Sequence, residues 1–359
     1  MSKTILLAGG CGFIATNTAI EAIKRGYKVI AFDNLSRKEV ENNLAYMEKT
    51  YPNDYQFVWG DVRKRGDFEK IPAVDAVINF AANPSVVKSI EFPGYDFETN
   101  CGGVVNSLDW VRSRGNIPYI YASTNKVYSD ITNEINTIEE DKKFRWGEWN
   151  HPKHLSAYKG IDTSKTGHTP LAINDDFPID GFGKYGHSMY GIGKLSGELY
   201  VQEYHLQFGI PVVIFRMSCI YGLFQKGCEE QAWISHFVRQ IVGGDGSINI
   251  FGTGKQVRDV LDGRDTARAY LDALENIDKV NGEIFTLGGG KENAYSLLET
   301  IKVIEKMTGK KAKLTYGEKR SADQFIYISS IHKIKRMLNW EPKYTLEETL
   351  KDMMNEYTS

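Results

Sequence analysis

Five short apolar runs punctuate the first 128 residues: KTILLAG from Lys3, YKVIAFD from Tyr27, YQFVWGD from Tyr55, VDAVINFAA from Val74 and IPYIYAS from Ile117. Each is nearly continuous in hydrophobicity instead of alternating, as expected of strands covered on both faces, and helical patterns separate them. The order β-α-β-α predicts a parallel α/β sheet wound on both sides. Residues 129–187 break the rhythm with Asn, Asp, Lys, Gly, Pro and His and no apolar period, which reads as a long inserted loop or lid. A helical pattern resumes over Ser188 to Phe208, and PVVIFR from Pro211 reads as a further strand of the same sheet. Beyond it the pattern is mixed. A helix is expected from about Gln231, strands at INIFG and VRDVL, and helices over RDTARAYLDALEN, SLLETIKVIEKMTG and the C-terminus. The expected organisation is a doubly wound dinucleotide-binding domain over 1–216, carrying the 129–187 insertion, and a smaller mixed α/β substrate domain over 217–359 that sends segments back to the first.

Composition narrows the classes. The 359 residues are 42% hydrophobic and 25% charged, with a formal net charge of -2, so nothing general draws the chain to nucleic acid or an anionic membrane. The start, MSKTILLAGG, lacks the apolar core of a signal peptide, and a cytoplasmic location is expected. Cys11, Cys101, Cys219 and Cys228 have no metal-ligand or paired spacing and read as small packing residues. Four of the seven histidines, His151, His154, His168 and His187, fall in the insertion at irregular spacing, and no metal is expected there.

The chemistry begins at the first strand's end. In AGGCGFIATN, Gly9, Gly10 and Gly12, with Ala15 where a third glycine is usual, lie between a strand and a helix, where glycines bring backbone N–H groups close to a pyrophosphate at the helix N-terminus. Tight turns alone also use such glycines. Asp33 closes the second strand about 20 residues on, where a carboxylate accepts from ribose hydroxyls and repels a 2′-phosphate, favouring NAD over NADP; Arg37 nearby works against that preference. Asp61, in GDVR, ends the third strand within reach of an adenine, or is a solvated turn residue. Of the 20 tyrosines only Tyr190 has a lysine four residues later, and a helix sets Tyr190 and Lys194 on one face. A phenol is a poor base at neutral pH, and a neighbouring ammonium favours its phenolate. Thr124 ends the fifth strand, where its hydroxyl can orient a reacting oxygen.

Taken in order, GGCGFIATN, AFDNLSR, STNKVY, YGIGK, FRMSCIYG, GKQVRDVL and FTLGGG, covering Lys3 to about Trp340, resemble the extended short-chain dehydrogenase/reductase family of NAD-dependent epimerase/dehydratase type. Within it the chain looks most similar to the CDP-paratose/CDP-tyvelose 2-epimerase group. The resemblance implies a Rossmann fold, NAD, a nucleotide-sugar substrate and a homodimer or homotetramer. It implies catalysis by Thr124, Tyr190 and Lys194. Cofactor contacts are implied at Gly9, Gly12, Phe13, Ile14, Asp33, Asn34, Asp61, Val62, Ala81, Ala82, Asn100 and Ser123, and at the catalytic pair itself. Substrate contacts are implied at Asn125, Ser218, Gln225, Gln231, Arg258 and Arg320, the two arginines meeting the pyrophosphate. Related dehydratases carry an acidic pair after the threonine, whereas this chain has Asn125 and Lys126, which disfavours elimination and points to inversion at C2 of a CDP-linked deoxyhexose. The chain departs from the family at NFAANPSV and at Phe224, both near the expected sugar. C4 chemistry on a UDP- or GDP-sugar, a nucleotide-sugar dehydrogenase and a non-catalytic NAD-binding sensor are the alternative readings.

Overall fold

The computed structural model describes residues 2–148, 160–163, 170–179, 185–229, 231–320 and 323–356. The five apolar runs form strands Thr4–Ala8, Lys28–Asp33, Tyr55–Trp59, Ala76–Asn79 and Tyr119–Thr124, and PVVIFR forms Val212–Met217. A seventh strand, Glu283–Leu287, was not among the expected ones: GEIFTLGGG begins polar and ends in glycines, which hides its apolar middle. All seven pair in parallel, from Glu283–Leu287 at one edge through 212–217, 119–124, 76–79, 4–8 and 28–33 to 55–59. The first strand lies between the second and the fourth, so strand order reverses there and a crevice opens at the carboxyl ends.

Alternate side chains of this sheet feed two cores. On one face Ile5, Leu7, Val29 and Ile120 pack with Ala15, Ala19 and Ala22 of helix Phe13–Lys24 and with Ala269, Tyr270 and Ala273 of helix Gly263–Glu275. On the other Leu6, Val77, Tyr121 and Ile214 meet Val104, Leu108 and Val111 of helix Gly103–Ser113 and Val201 of helix Ser188–Phe208. Each such aliphatic side chain contributes about 1.5–3 kcal/mol by leaving water. Ala15 suits its place: it is 1% exposed against the sheet, where a larger side chain would push the helix away.

Residues after 217 divide between layers. Helix Gly263–Glu275 and strand Glu283–Leu287 belong to the central sandwich, while strand Val257–Asp262 pairs with Cys219–Tyr221, Ala294–Ser296 and Ile326–Tyr327 in a separate small sheet. The helix expected from Gln231 begins at Trp233.

Among the described residues, the insertion carries short strands where its composition suggests a loop. Thr137–Glu139 and Phe144–Trp146 form one hairpin, Ile161–Thr163 and Pro170–Ile173 another, and Trp146, Ala172, Ile173 and Phe177 are buried with Val127, Tyr128, Leu195 and Tyr327. Strands of three or four residues are too short to show a period. His151, His154 and His168 lie outside the described residues, and His187 contacts the backbone carbonyl of Ile179 at 2.5 Å. Among the described residues no group of three or more His, Cys, Asp or Glu is placed to hold a metal, and no helix is long and apolar enough to cross a membrane. Cys11 and Cys101 are buried packing residues and Cys219 is half-buried; Cys228, by contrast, is exposed, because it sits on a surface turn outside any core.

Candidate active site

The chain doubles back at Gly9, whose φ of +72° only glycine adopts without strain and whose missing side chain makes room for the next strand's exit: a Cβ there would sit 2.7 Å from the Ala81 nitrogen. The helix that follows starts at Phe13 behind Gly12 with neither a side-chain cap nor an acidic residue in its first turn. Its first N–H groups are therefore available to an anion and favour one through the helix dipole. Asp33 braces this turn. Its two carboxylate oxygens accept from the Cys11 nitrogen at 3.1 Å and the Leu35 nitrogen at 2.8 Å, and burial pushes its carboxyl up. Asp61 is buried too, yet the Arg63 guanidinium, at 2.6 Å, and Asn34, at 3.1 Å, outweigh that desolvation and hold it down to about 2.

These groups line one cleft along the carboxyl ends of the sheet. On its dinucleotide side stand Gly9, Gly12, Phe13, Ile14, Asp33, Asn34, Asp61, Val62, Ala81 and Ala82; across the switch point are Ser123, Thr124, Tyr190, Lys194, Ser218, Gln225 and Gln231. Four expected residues are not on this wall. Asn100 lies behind it, fully buried, bonding both the nitrogen and the oxygen of Asn83. Asn125 sits beside Thr124, accepting from its hydroxyl at 3.4 Å and donating to Gln324 at 3.2 Å. Arg258 is 9% exposed and bonded to Asp323 at 2.6 Å and to the Val257 carbonyl. Arg320 donates to the Glu229 carbonyl and stacks 3.9 Å from the centre of the Phe251 ring. The wall also includes Asn43, Arg63, Tyr95 and Thr99, which were not among the candidates. Arg63, two residues past Asp61, is the one a local motif could have flagged. Asn43 sits on a polar-looking helix, and only the fold reveals that it ties the Cys11 and Phe224 carbonyls together.

Tyr190 and Lys194 stand on the first turns of helix Ser188–Phe208, with Thr124 hydrogen-bonded to the Tyr190 phenol. Lys194 is 2% exposed, its ammonium 4.1 Å from the centre of the Tyr121 ring. Burial dominates both groups. It pushes the phenol up to about 12 despite the Thr124 bond, and the lysine down to about 7 against the pull of Glu198 and Asp96. The protein's own groups thus keep Tyr190 protonated at neutral pH, whereas the spacing alone suggested a lowered phenol; a local motif carries no information about desolvation. One turn further, Glu198 is fully buried, accepting from Ser123 at 2.6 Å and from Arg216 at 2.5 Å, which ties this helix to two sheet strands. Ser218 is held by a hydrogen bond to buried Asp259, whose carboxyl burial raises to about 6.

A strand-turn-helix anion cradle beside a buried hydroxyl, phenol and ammonium is the arrangement of a dinucleotide-dependent α/β enzyme. The model of the NAD dependent epimerase/dehydratase family matches residues 5–151 and 168–288. The chain is 32% identical to the CDP-paratose 2-epimerase of Salmonella typhi over 97% of each, and 29% identical to a putative UDP-glucose 4-epimerase of Methanocaldococcus jannaschii over 98% of this chain and 97% of the relative. It is similar to the solved UDP-glucose 4-epimerase of Thermotoga maritima with UDP-glucose, with a TM-score of 0.75 and 27% identity over 99% of this chain and 98% of that one. The chain belongs to the NAD-dependent epimerase/dehydratase family; it is an enzyme, and its cofactor is NAD.

Proposed function

We propose that this enzyme is a nucleotide-sugar epimerase that inverts C2 of a CDP-linked deoxyhexose through a transient 2-keto sugar. The observation that carries the reading is the side chains after Thr124: Asn125 and Lys126 offer no carboxylic acid for an elimination, and burial lowers the Lys126 ammonium only to about 8. The 32% identity to a CDP-paratose 2-epimerase over 97% of both chains supports the choice of C2 and CDP.

In this reading the uncapped turn at Gly12, Phe13 and Ile14 binds the pyrophosphate of NAD, Asp33 and Asn34 its adenosine ribose, Asp61 and Val62 its adenine, and Ala81, Ala82 and Ser123 complete its bed, which Asn100 supports from behind through the Asn83 backbone. NAD, when bound, supplies a reversible hydride acceptor. Tyr190, drawn into its phenolate form by the Lys194 ammonium and the positive charge that oxidised NAD would add, receives the proton of the C2 hydroxyl as hydride leaves C2, and returns it to the C2 oxygen once hydride has come back to the other face of the ketone; Thr124 orients that oxygen. Ser218, Gln225, Gln231 and Asn125 position the substrate. Arg258 and Arg320 hold its pyrophosphate, Arg258 exchanging Asp323 for the phosphate oxygens. A second copy of the chain covers the exposed face formed by Ile90, Phe92, Phe97, Ile192, Leu199 and Leu206, between 45% and 70% exposed, within a homodimer or homotetramer. The reaction takes place in the cytoplasm.

The test is to incubate purified enzyme with CDP-, UDP-, GDP- and dTDP-hexoses and read products by NMR. A C2 epimer from a CDP-sugar is expected. Inversion at C4, loss of water or net NADH formation would overturn the assignment.

A further inference from the structure

Asp96, on the short helix Pro93–Phe97, is 1% exposed. One carboxylate oxygen accepts from Asn83 at 2.9 Å and from Asn100 at 2.8 Å. The other is buried with no hydrogen-bond partner and is aimed at the catalytic helix: a Cβ on Gly193 would come within 2.5 Å of it. Gly193 lies between Tyr190 and Lys194 in the sequence, so a bare carboxylate oxygen packs on the helix between the two functional residues.

The surrounding charges leave this oxygen one counterpart. Lys194 faces Glu198 from its own helix, Tyr121 from the fifth strand and Asp96 from helix Pro93–Phe97. Glu198 is matched by Arg216, which it binds through three contacts, and by Ser123. Arg37 is the other cation near Tyr190, and it is engaged with Gln231. Asp96 is therefore the carboxylate beside Lys194 that no arginine neutralises. A buried charge persists only when a partner or hydrogen bonds stabilise it.

We infer that Asp96 is a positioning residue of the catalytic pair: its unpaired oxygen, packed on Gly193, keeps the Lys194 ammonium charged, while its other oxygen fixes Asn100 and the Asn83 turn. This inference rests on Tyr190 and Lys194 being the acid/base pair of the proposed reaction. Burial drives Lys194 toward its neutral form and Asp96 opposes it, and the same negative charge disfavours a phenolate on Tyr190. It also gives a purpose to the NFAANPSV departure, since Asn83 contributes the amide that anchors Asp96.

Asp96→Asn keeps the volume and an accepting oxygen but removes the charge. With the charge gone, Lys194 loses its proton at lower pH. The limb of the pH–rate profile that falls as Lys194 deprotonates should move down by about one unit, roughly a tenfold loss on its alkaline side, with activity recovering toward lower pH. In holoenzyme labelled with 13C-lysine, the Lys194 resonance, assigned with Lys194→Arg, should titrate at a midpoint lowered by the same amount. Equal midpoints in the two proteins would overturn the inference, as would an activity loss uniform in pH, which is the mark of a packing role alone. Asp96→Ser carries the same comparison should the asparagine variant not fold. The titration is read without any sugar, so a wrong substrate assignment, visible in the wild-type product assay, leaves its outcome separately readable.

Discussion

Replacing Gly9 with alanine tests the cofactor cradle at its tightest point. Two independent terms set the size of the effect. The backbone at Gly9 has φ +72°, a left-handed conformation that imposes roughly 1–2 kcal/mol on a residue with a Cβ. The added methyl would also lie 2.7 Å from the Ala81 nitrogen and 2.8 Å from its Cα, both backbone atoms that cannot swing aside. Overpacking of that kind adds about 1–3 kcal/mol. Together they reach about 2–5 kcal/mol, relieved by the loop withdrawing from the fourth strand's exit and hence from the geometry in which its N–H groups converge. Calorimetric titration with NAD should show affinity at least about tenfold weaker, and the melting temperature should fall. Gly66→Ala is the control: nothing lies within 4 Å of its Cβ position, and its effect should stay within about 0.5 kcal/mol. A Gly9→Ala enzyme that binds NAD within about threefold of wild type at an unchanged melting temperature would refute the account of the cradle.

Tyr190→Phe removes the hydroxyl bonded to Thr124; turnover should drop by about 10²–10⁴ while NAD stays bound, as single-turnover assays and cofactor extraction would show. Glu198→Gln leaves Arg216, 3% exposed, without its carboxylate, and urea unfolding should reveal a loss of about 3 kcal/mol or more. A Glu198→Met/Arg216→Met double variant should lie closer to wild type than Glu198→Gln does. Asp61 is held to about 2 against an ordinary value of 3.8, so its charged form contributes about 2 kcal/mol that is complete above the ordinary value and is lost as pH falls toward 2. The stability gap between wild type and Asp61→Asn should accordingly narrow from about pH 5 to about pH 3, measured by urea titration; a constant gap would place Asp61's contribution outside its ionisation.

The features legible in the sequence are those whose cause is local. A strand covered on both faces must be apolar throughout, which is why five runs before residue 128 and PVVIFR declare the sheet, and a turn at φ +72° into an uncapped helix demands AGGCGF whatever surrounds it. Tyr190 and Lys194 share a face because four residues make about one helical turn. Folding decided what depends on distant partners or on burial. Arg258 meets Asp323, 65 residues away; Glu198 binds Arg216 across helix and sheet; Asn83, Asp96 and Asn100 converge under Gly193. The insertion's hairpins form because Trp146, Ile173 and Phe177 find a shared core, not because their own strands carry a period. The protonation of Tyr190 and Lys194 belongs to this second kind as well: the motif brings a phenol and an ammonium together, but it is the water excluded by the folded chain that raises one and lowers the other.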